Sequence, residues 1–389
     1  MPNALDLVIA AALTVAFVGG WQLGFVARAS SWLGLVVGLA VGARTLPWMV
    51  DRLAGQPPSR VFVAIGLVLL VSGSTGLVLG LMVGIRLRVV VSGARIHPAD
   101  RAAGGLVSCA GVLLVVWLLV PVMADVRQWP AQQARNSQLA RLVDTVLPSP
   151  PDSIQALGQV VGESQFPRVL DALQPTPALS APPELTGIDP GVEERVRESV
   201  LRVEGVACRR VQVGTGFVVA PDLVLTNAHV IAGEPTTRVR RDDGAELDAV
   251  AVLFDPQRDL AVLRVEGLGR EPLELRAGEV GDSGGVFGHP AGVEVLRVAP
   301  FEIGRALTAT GRDIYGELRV RRDVYTVASA LEAGDSGAPL VAPDGSAVGM
   351  AFAVAPDRDT VAYALTAGEI LDALDTDLRG PVDTGRCLA

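Results

Sequence analysis

The feature that most constrains this chain is a run of 25 residues without a charge, VFVAIGLVLLVSGSTGLVLGLMVGI at 61–85. A helix needs about 20 apolar residues to cross the hydrocarbon of a membrane. Three further apolar stretches, at 5–27, 31–50 and 104–124, approach the same length. The sequence therefore predicts an α-helical membrane bundle of four spans over residues 1–124, with the lipid bilayer as its partner.

The second of these stretches is the weakest, because Arg44 and Pro47 interrupt it. A re-entrant segment is the alternative there, although Arg44 lies near enough to one end to extend its charge toward water. Glycines recur at every fourth residue of the second and third stretches: Gly34, Gly38 and Gly42, then Gly76, Gly80 and Gly84. Small residues at this spacing let helices approach closely. We expect packing within one bundle, with dimerisation as the alternative.

Charges near the spans bear on orientation. The loop 86–103 contains four arginines, which favours the cytoplasm, although arginines in the other loops nearly balance them. The first span has no arginine before it and Arg28 directly after it. We predict a multi-pass protein of the inner membrane with both termini outside, so that the C-terminal half is extracytoplasmic.

Charge and composition divide the rest of the chain. The first 190 residues carry a net charge of +2, and residues from 191 onward carry −11. An acidic C-terminal half argues against a nucleic-acid partner, because phosphate binding needs concentrated positive charge.

Residues 125–190 predict a proline-rich linker with two short helix-compatible stretches, 131–146 and 153–173. We expect its exposed part, 174–190, to be a site of self-cleavage. From 191 to 389 short valine-rich runs follow one another at about ten-residue spacing, broken by Gly, Pro and Asp. That rhythm predicts an all-β domain, consistent with a pair of barrels.

Two copies of Gly-Asp-Ser-Gly, at 281–284 and 334–337, raise the question of a serine nucleophile. A serine hydroxyl needs a base to accept its proton and a carboxylate to orient that base. The chain has three histidines: His97 in a membrane loop, His289 in a turn sequence, and His229 in VLTNAHVIAG.

The segment TGFVVAPDLVLTNAHV around His229 resembles the trypsin-like proteases, in which Ala-His follows a strand. In DPQRDLAVLRV, Asp259 stands where the orienting aspartate of those proteases stands, and Asp255 is the competitor that matches less well.

The number of residues between Asp259 and each serine distinguishes the two candidate nucleophiles. Ser283 follows after 24 residues, which is too soon to complete one barrel and build most of a second. Its surroundings resemble the segment that opens the second barrel of HtrA proteases. Ser336 follows after 77 residues and precedes a strand, a turn and another strand. The sequence predicts Ser336 as the nucleophile, with His229 as base and Asp259 as the orienting carboxylate.

The remaining parts of the site follow from position. Glycines around Ser336 allow the amides of Gly334 and Ser336 to form an oxyanion hole. Asp335 stands where HtrA proteases often have Asn, and agrees with digestive proteases, in which it pairs with a new N-terminus. The fold builds its first specificity pocket at positions that are apolar here and favour an uncharged residue before the cut bond: Ala330, Met350, Ala351, Phe352 and Ala353.

The whole chain resembles the MarP family, actinobacterial membrane-anchored proteases of acid and oxidative stress resistance. In that family a CvpA-like (colicin V production) four-span region precedes an extracytoplasmic protease domain. The resemblance rests on TNAHV, RDLAVL and GDSGAP in the catalytic half and on architecture in the membrane half. It implies a trypsin-like double β-barrel and a disulfide between Cys208 and Cys387.

The resemblance also implies a serine endopeptidase that cleaves envelope or periplasmic proteins through an acyl-enzyme, without metal or cofactor. Two alternatives stay open. The membrane half transports or exports a solute while the protease is an accessory, or the catalytic half is a protease-like binding module.

Overall fold

The computed structural model describes residues 3–52, 58–92, 97–124, 128–147, 176–207, 210–376, 378 and 380–388. The chain divides into two compact units, Met1–Leu118 and Leu119–Ala389.

Four long apolar helices form the N-terminal part, as predicted. They are α1 (Ala4–Leu23), α2 (Phe25–Arg52), α3 (Pro58–Ser92) and α4 (Pro98–Met123). Each contains a segment long and apolar enough to cross a membrane. The boundary between the first two helices lies at Gly24, inside the first of the apolar stretches, 5–27. The N–H of Gly24 closes α1 on the carbonyl of Gly20, and the next helix begins at Phe25. The helix α2 continues without a break through Arg44 and Pro47.

Helices α2 and α3 pack through their glycines. A Cβ atom on Gly34 would collide with the carbonyl oxygen of Gly76, and one on Gly38 would collide with the carbonyl oxygen of Ser72. Glycine therefore sets the distance between the two backbones, and packing within the bundle is confirmed.

The connector contains two helices, α5 (Trp129–Asn136) and α6 (Gln138–Val146), where the sequence predicted one stretch over 131–146. Ser137 separates them, because its side chain caps α6 by accepting the N–H of Ala140. The second predicted stretch, 153–173, lies outside the described residues.

Residues 176–189 run without regular structure, and the segment is only partly exposed. Thr176 is buried and donates its hydroxyl to Asp357 at 2.5 Å. Leu179 packs partly buried against the protease core, whereas Leu185 is 81% exposed. Helix α7 (Pro190–Glu198) then leads into the β domain.

Six antiparallel strands close the first barrel in the order β1-β2-β3-β6-β5-β4. They are β1 (Val200–Ala207), β2 (Arg210–Ala220), β3 (Leu223–Thr226), β4 (Thr237–Arg240), β5 (Glu246–Asp255) and β6 (Leu260–Arg264). The short helix α8 (Ala228–Ile231) follows β3 directly.

Six more strands close the second barrel in the order β10-β11-β12-β9-β8-β7. They are β7 (Ser283–Gly288), β8 (Arg297–Arg312), β9 (Arg319–Ala328), β10 (Pro339–Val341), β11 (Ala347–Val354) and β12 (Val361–Thr366), followed by helix α9 (Ala367–Leu374). Closure leaves neither sheet with an open edge. The predicted pair of barrels is confirmed.

Each barrel has its own buried cluster, and a third cluster combines residues of both. Phe217 and Leu225 of the first barrel share this third cluster with Phe287 and Met350 of the second. The side chains of all four residues are fully buried. This shared cluster fixes the two barrels relative to each other, as a site formed by loops of both barrels requires.

Candidate active site

The predicted base and its carboxylate lie in contact. His229 is in helix α8, and Asp259 is in the turn between β5 and β6. The carboxylate accepts two hydrogen bonds from the same residue: Oδ1 from the backbone N–H of His229 at 2.9 Å, and Oδ2 from ring atom Nδ1 at 2.7 Å. Because Nδ1 is the donor in this arrangement, Nε2 is the ring nitrogen left to accept a proton.

The backbone around Asp259 is equally constrained. Asp259 is fully buried and has a φ of 62°, which few non-glycine residues adopt. Its carbonyl oxygen accepts a hydrogen bond from Nδ2 of Asn227 at 2.8 Å. Asn227 directly precedes helix α8, so the segment carrying His229 holds Asp259 by both its side chain and its backbone.

Ser336, the predicted nucleophile, lies in a loop that forms hydrogen bonds with Thr215 on strand β2 of the first barrel. Ser336 is 5% exposed, and its carbonyl oxygen accepts the N–H of Thr215 at 2.8 Å. The hydroxyl of Thr215 donates to the carbonyl oxygen of Gly334 at 2.8 Å. The carbonyl of Thr215 in turn accepts the hydroxyl of Thr226, three residues before His229. Thr215 therefore connects the serine loop to the strand that leads to the histidine.

Two backbone donors of the serine loop have no acceptor among the described residues. Among the described residues, the N–H groups of Gly334 and Ser336 donate to no acceptor, whereas the N–H of Asp335 between them donates to Glu332 at 3.1 Å. Within the described ranges, no hydrogen bond joins the side chains of Ser336 and His229. Gly334 has a φ of 101°.

Asp335 is buried beside the nucleophile. Its Oδ2 accepts the N–H of Glu332 at 2.9 Å, and its side chain faces Gly288. Burial raises the pKa of Asp335 to about 6, which the hydrogen bond from Glu332 and the charge of Arg297 only partly oppose. The carboxylate therefore has a local backbone partner where digestive proteases use a chain terminus.

The predicted pocket residues fall into two groups. Ala330 is exposed, whereas the other four lie buried on β11: Met350, Ala351, Phe352 and Ala353. The pairing of β11 with β12 shifts register at Phe352. Met350 belongs to the cluster shared by the barrels and Ala351 to the core of the second barrel. Their assignment to a substrate pocket stays a prediction.

The competing residues lie in other surroundings. Ser283 is the first residue of β7, paired with Glu302 of β8, at the start of the second barrel. His289 is buried, its Nδ1 bonds the carbonyl of Val293, and burial lowers its pKa. His97 is exposed before α4.

The predicted disulfide falls partly outside the described residues, because Cys208 is not among them. Cys387 lies in the C-terminal tail against Gly233, two residues after helix α8. The N–H of Gly233 also bonds the carbonyl of Thr384 at 3.0 Å. The tail therefore contacts the segment that follows His229.

Sequence reasoning did not single out Thr215 or Asn227. Neither stands in a pattern with chemical content of its own, since a threonine between two glycines and an asparagine before Ala-His are ordinary combinations. Their roles come from hydrogen bonds across 119 and 32 positions of the chain.

Comparison with known proteins gives the same division of the chain. Residues 214–350 match the family described as "Trypsin-like peptidase domain", and residues 5–148 match "Colicin V production protein". The chain is thus a trypsin-like serine protease preceded by a CvpA-like membrane region.

A particular family follows from the full-length relatives. The serine protease Rv3671c of Mycobacterium tuberculosis is 31% identical over 99% of this chain and 98% of its own length. The crystal structure of the active form of that protease covers 56% of this chain and 99% of its own, with 36% identity and a TM-score of 0.50. Serine protease HTRA1 of Xenopus laevis is 31% identical over 35% of this chain and 30% of its own length. This protein belongs to the family of Rv3671c, the MarP family.

Proposed function

We propose that this protease uses His229, Asp259 and Ser336 as its catalytic triad. The observation that carries the proposal is the pair of hydrogen bonds between Asp259 and His229, which fixes the ring with Nε2 free. Ser336 Oγ attacks the carbonyl carbon of the scissile peptide and passes its proton to Nε2. The imidazolium then protonates the leaving amine, and water repeats the sequence on the acyl-enzyme.

We expect the hydrogen bond between Ser336 and His229 to form when substrate binds. Hydrogen bonds of this kind are often long in a free enzyme and shorten in the substrate complex. The N–H groups of Gly334 and Ser336 supply the oxyanion hole, which their lack of acceptors among the described residues supports. Two such donors stabilise the negative charge that develops on the carbonyl oxygen.

The first specificity pocket lies along β11 beside Ala330, with Met350 and the three residues after it. Alanine at 351 and 353 supports a preference for uncharged side chains before the cut bond, because no charged group stands in that stretch of the strand.

The protease half is extracytoplasmic, and its substrates are envelope or periplasmic proteins. Four helices long and apolar enough to cross a membrane support a topology with both termini on one side, and the arginines within 86–103 favour the opposite, cytoplasmic side. A protein described as a probable periplasmic DegP-like serine endoprotease of Brucella suis is 32% identical over 38% of this chain and 31% of its own length. Membership of the MarP family supports a role in acid and oxidative stress.

The protein divides into a membrane region at 1–124, a linker at 125–190 and a protease domain at 191–389. Self-cleavage falls in the exposed middle of 176–190, near Leu185, rather than at the buried Thr176. A disulfide joins Cys208 to Cys387. Support comes from the position of Cys387 beside Gly233 and from Cys109, the cysteine whose thiol is free among the described residues.

A fluorophosphonate probe tests the nucleophile directly. The full-length protein in detergent is treated with the probe, digested, and mapped by mass spectrometry. We expect labelling at Ser336, with Ser336→Ala unlabelled and Ser283→Ala labelled as fully as the parent. Labelling of Ser283, or of neither serine in a protein that hydrolyses peptides, would overturn the assignment.

A further inference from the structure

Arg322 is a cation buried between the two barrels. It lies on β9, whose side chains alternate between solvent and interior over 319–322. Arg319 and Arg321 are exposed, whereas Arg322 is 2% exposed. Burying a guanidinium costs several kcal/mol unless its surroundings compensate the charge. The role of such a side chain is therefore sought in the groups that it contacts.

The guanidinium of Arg322 joins the loop before Asp259 to the second barrel. Its Nε donates to the carbonyl oxygen of Gln257 at 2.6 Å, and Nη2 donates to the carbonyl oxygen of Arg312 at 2.9 Å. Gln257 lies two residues before Asp259. The planar group also lies over the ring of Phe352, with Cζ 5.8 Å from the ring centroid. Arg322 thus fixes the Asp259 turn against β8 and β11.

Four carboxylates act on Arg322 electrostatically, and Asp259 has the largest effect among them, followed by Asp255, Asp313 and Glu369. Burial nevertheless lowers the pKa of the guanidinium. Asp255 and Glu369 each form an ion pair with Arg258, at 3.0 and 3.2 Å.

The remaining two carboxylates differ in their partners. Asp313 accepts the N–H of Glu317 at 2.8 Å. Asp259 forms an ion pair with His229, which is charged only during part of the reaction. The charge of the buried Arg322 also acts on this carboxylate.

We propose that Arg322 is a positioning residue for the reaction: it holds the turn that carries Asp259 and offsets the charge of Asp259 while His229 is neutral. The inference rests on the proposed roles of His229, Asp259 and Ser336. A misplacement of about 1 Å remote from the reacting atoms can cost about a hundredfold in rate. Loss of Arg322 should therefore lower kcat and leave substrate binding unchanged.

The test compares Arg322→Met and Arg322→Lys with the exposed neighbour Arg321→Met, all in the full-length protein. We expect kcat of Arg322→Met to fall about ten- to a hundredfold with KM within about twofold. Labelling of Ser336 by the fluorophosphonate should slow in parallel. Lysine keeps the charge but has one donor nitrogen in place of two and no planar group over Phe352, so kcat of Arg322→Lys should lie between that of Arg322→Met and that of the parent. Arg321→Met should match the parent.

The positioning role is refuted if folded Arg322→Met keeps kcat within about twofold of the parent, or if KM rises as much as kcat falls. If Arg322→Met does not fold, Arg322→Gln replaces it, and equal kcat values for the Gln and Lys variants refute the charge role. Labelling of the parent protein distinguishes a failure of the proposed triad from a failure of the proposed role of Arg322. Labelling of the parent at a residue other than Ser336 removes the proposed triad, whereas labelling of Ser336 at equal rates in parent and Arg322→Met removes only the role of Arg322.

Discussion

The two Gly-Asp-Ser-Gly segments begin with the same local structure. In each, the aspartate N–H donates to the carbonyl of the glutamate three residues earlier, at 3.0 Å for Asp282 and Glu279 and at 3.1 Å for Asp335 and Glu332. In each, aspartate Oδ2 accepts the N–H of that glutamate, at 3.1 and 2.9 Å. The shared pattern Glu-x-Gly-Asp therefore closes the same turn twice.

The chain after each turn goes to a different place. Ser283 enters β7 and pairs with Glu302. Ser336 stays in a loop, and its carbonyl is bound by Thr215 of the first barrel. The same four-residue turn precedes a serine in each copy, and the second serine contacts the first barrel, the barrel that carries His229.

The largest expected difference between the copies is in catalysis. Ser336→Ala should lower kcat/KM by roughly three to six orders of magnitude, because the triad loses its nucleophile. Ser283→Ala should keep activity within a few-fold, because its hydroxyl belongs to a strand of the sheet. Hydrolysis of a fluorogenic peptide measures both. Comparable losses in the two variants would erase the distinction drawn between them.

The glycines two positions before the serines give the next largest difference. Gly334 and Gly281 have φ values of 101° and 95°. A Cβ on Gly334 would collide with the carbonyl oxygen of His289, whereas a Cβ on Gly281 meets open space. Gly334→Ala should displace its N–H and lower kcat by about 10²–10³-fold.

Gly281→Ala is the matched control for Gly334→Ala. It should cost about 1–3 kcal/mol of stability through backbone strain alone and leave kcat unchanged. Chemical denaturation and peptide hydrolysis together distinguish the two variants. Full activity in Gly334→Ala would show that its N–H is not an oxyanion donor.

The aspartates give the smallest expected difference, and it depends on pH. Burial raises the pKa of Asp335 to about 6 from an ordinary 3.8, so the folded state binds the proton more tightly than the unfolded state does. Its favourable contribution to folding is complete below about pH 4 and is lost as pH rises through about 6. In Asp335→Asn this position does not titrate. The free energy of unfolding of that variant, relative to the parent, should rise by up to about 3 kcal/mol between pH 4 and 7.

Asp282→Asn is the control for this experiment, because Asp282 makes the same turn in a half-buried position and is ion-paired with Arg276. Urea denaturation at several pH values measures the free energies. If the difference in unfolding free energy between the parent and Asp335→Asn stays flat with pH, Asp335 is not a buried, titrating group.

Patterns of hydrophobicity predicted most of the architecture. The four spans and the two barrels follow from run lengths and from the spacing of valine-rich segments. The boundary between α1 and α2 could not be read from the pattern, because Gly24 interrupts the helix without interrupting the hydrophobicity. The partly buried position of 176–179 was also missed, since proline-rich sequence predicts exposure and Thr176 is held by a residue 181 positions away.

Within the candidate site, the sequence suggested the residues proposed to carry the chemistry, but not those proposed to position them. His229, Asp259 and Ser336 stand in patterns that resemble a known family. Thr215 and Arg322 act through hydrogen bonds to backbone carbonyls of distant segments, and any residue type can supply a backbone carbonyl. The sequence therefore does not indicate which backbone carbonyl accepts such a hydrogen bond.

The sequence alone determined the membrane-spanning length of the apolar runs, the strand rhythm of the C-terminal half and the two identical Glu-x-Gly-Asp turns, because each depends on neighbours within a few residues. Only the tertiary structure decided which serine contacts the first barrel, that Asp335 is buried while Asp282 is not, and that the buried Arg322 binds the loop before Asp259. The physical reason is that burial and charge compensation are properties of closed barrels packed together, and both depend on residues far apart in the chain.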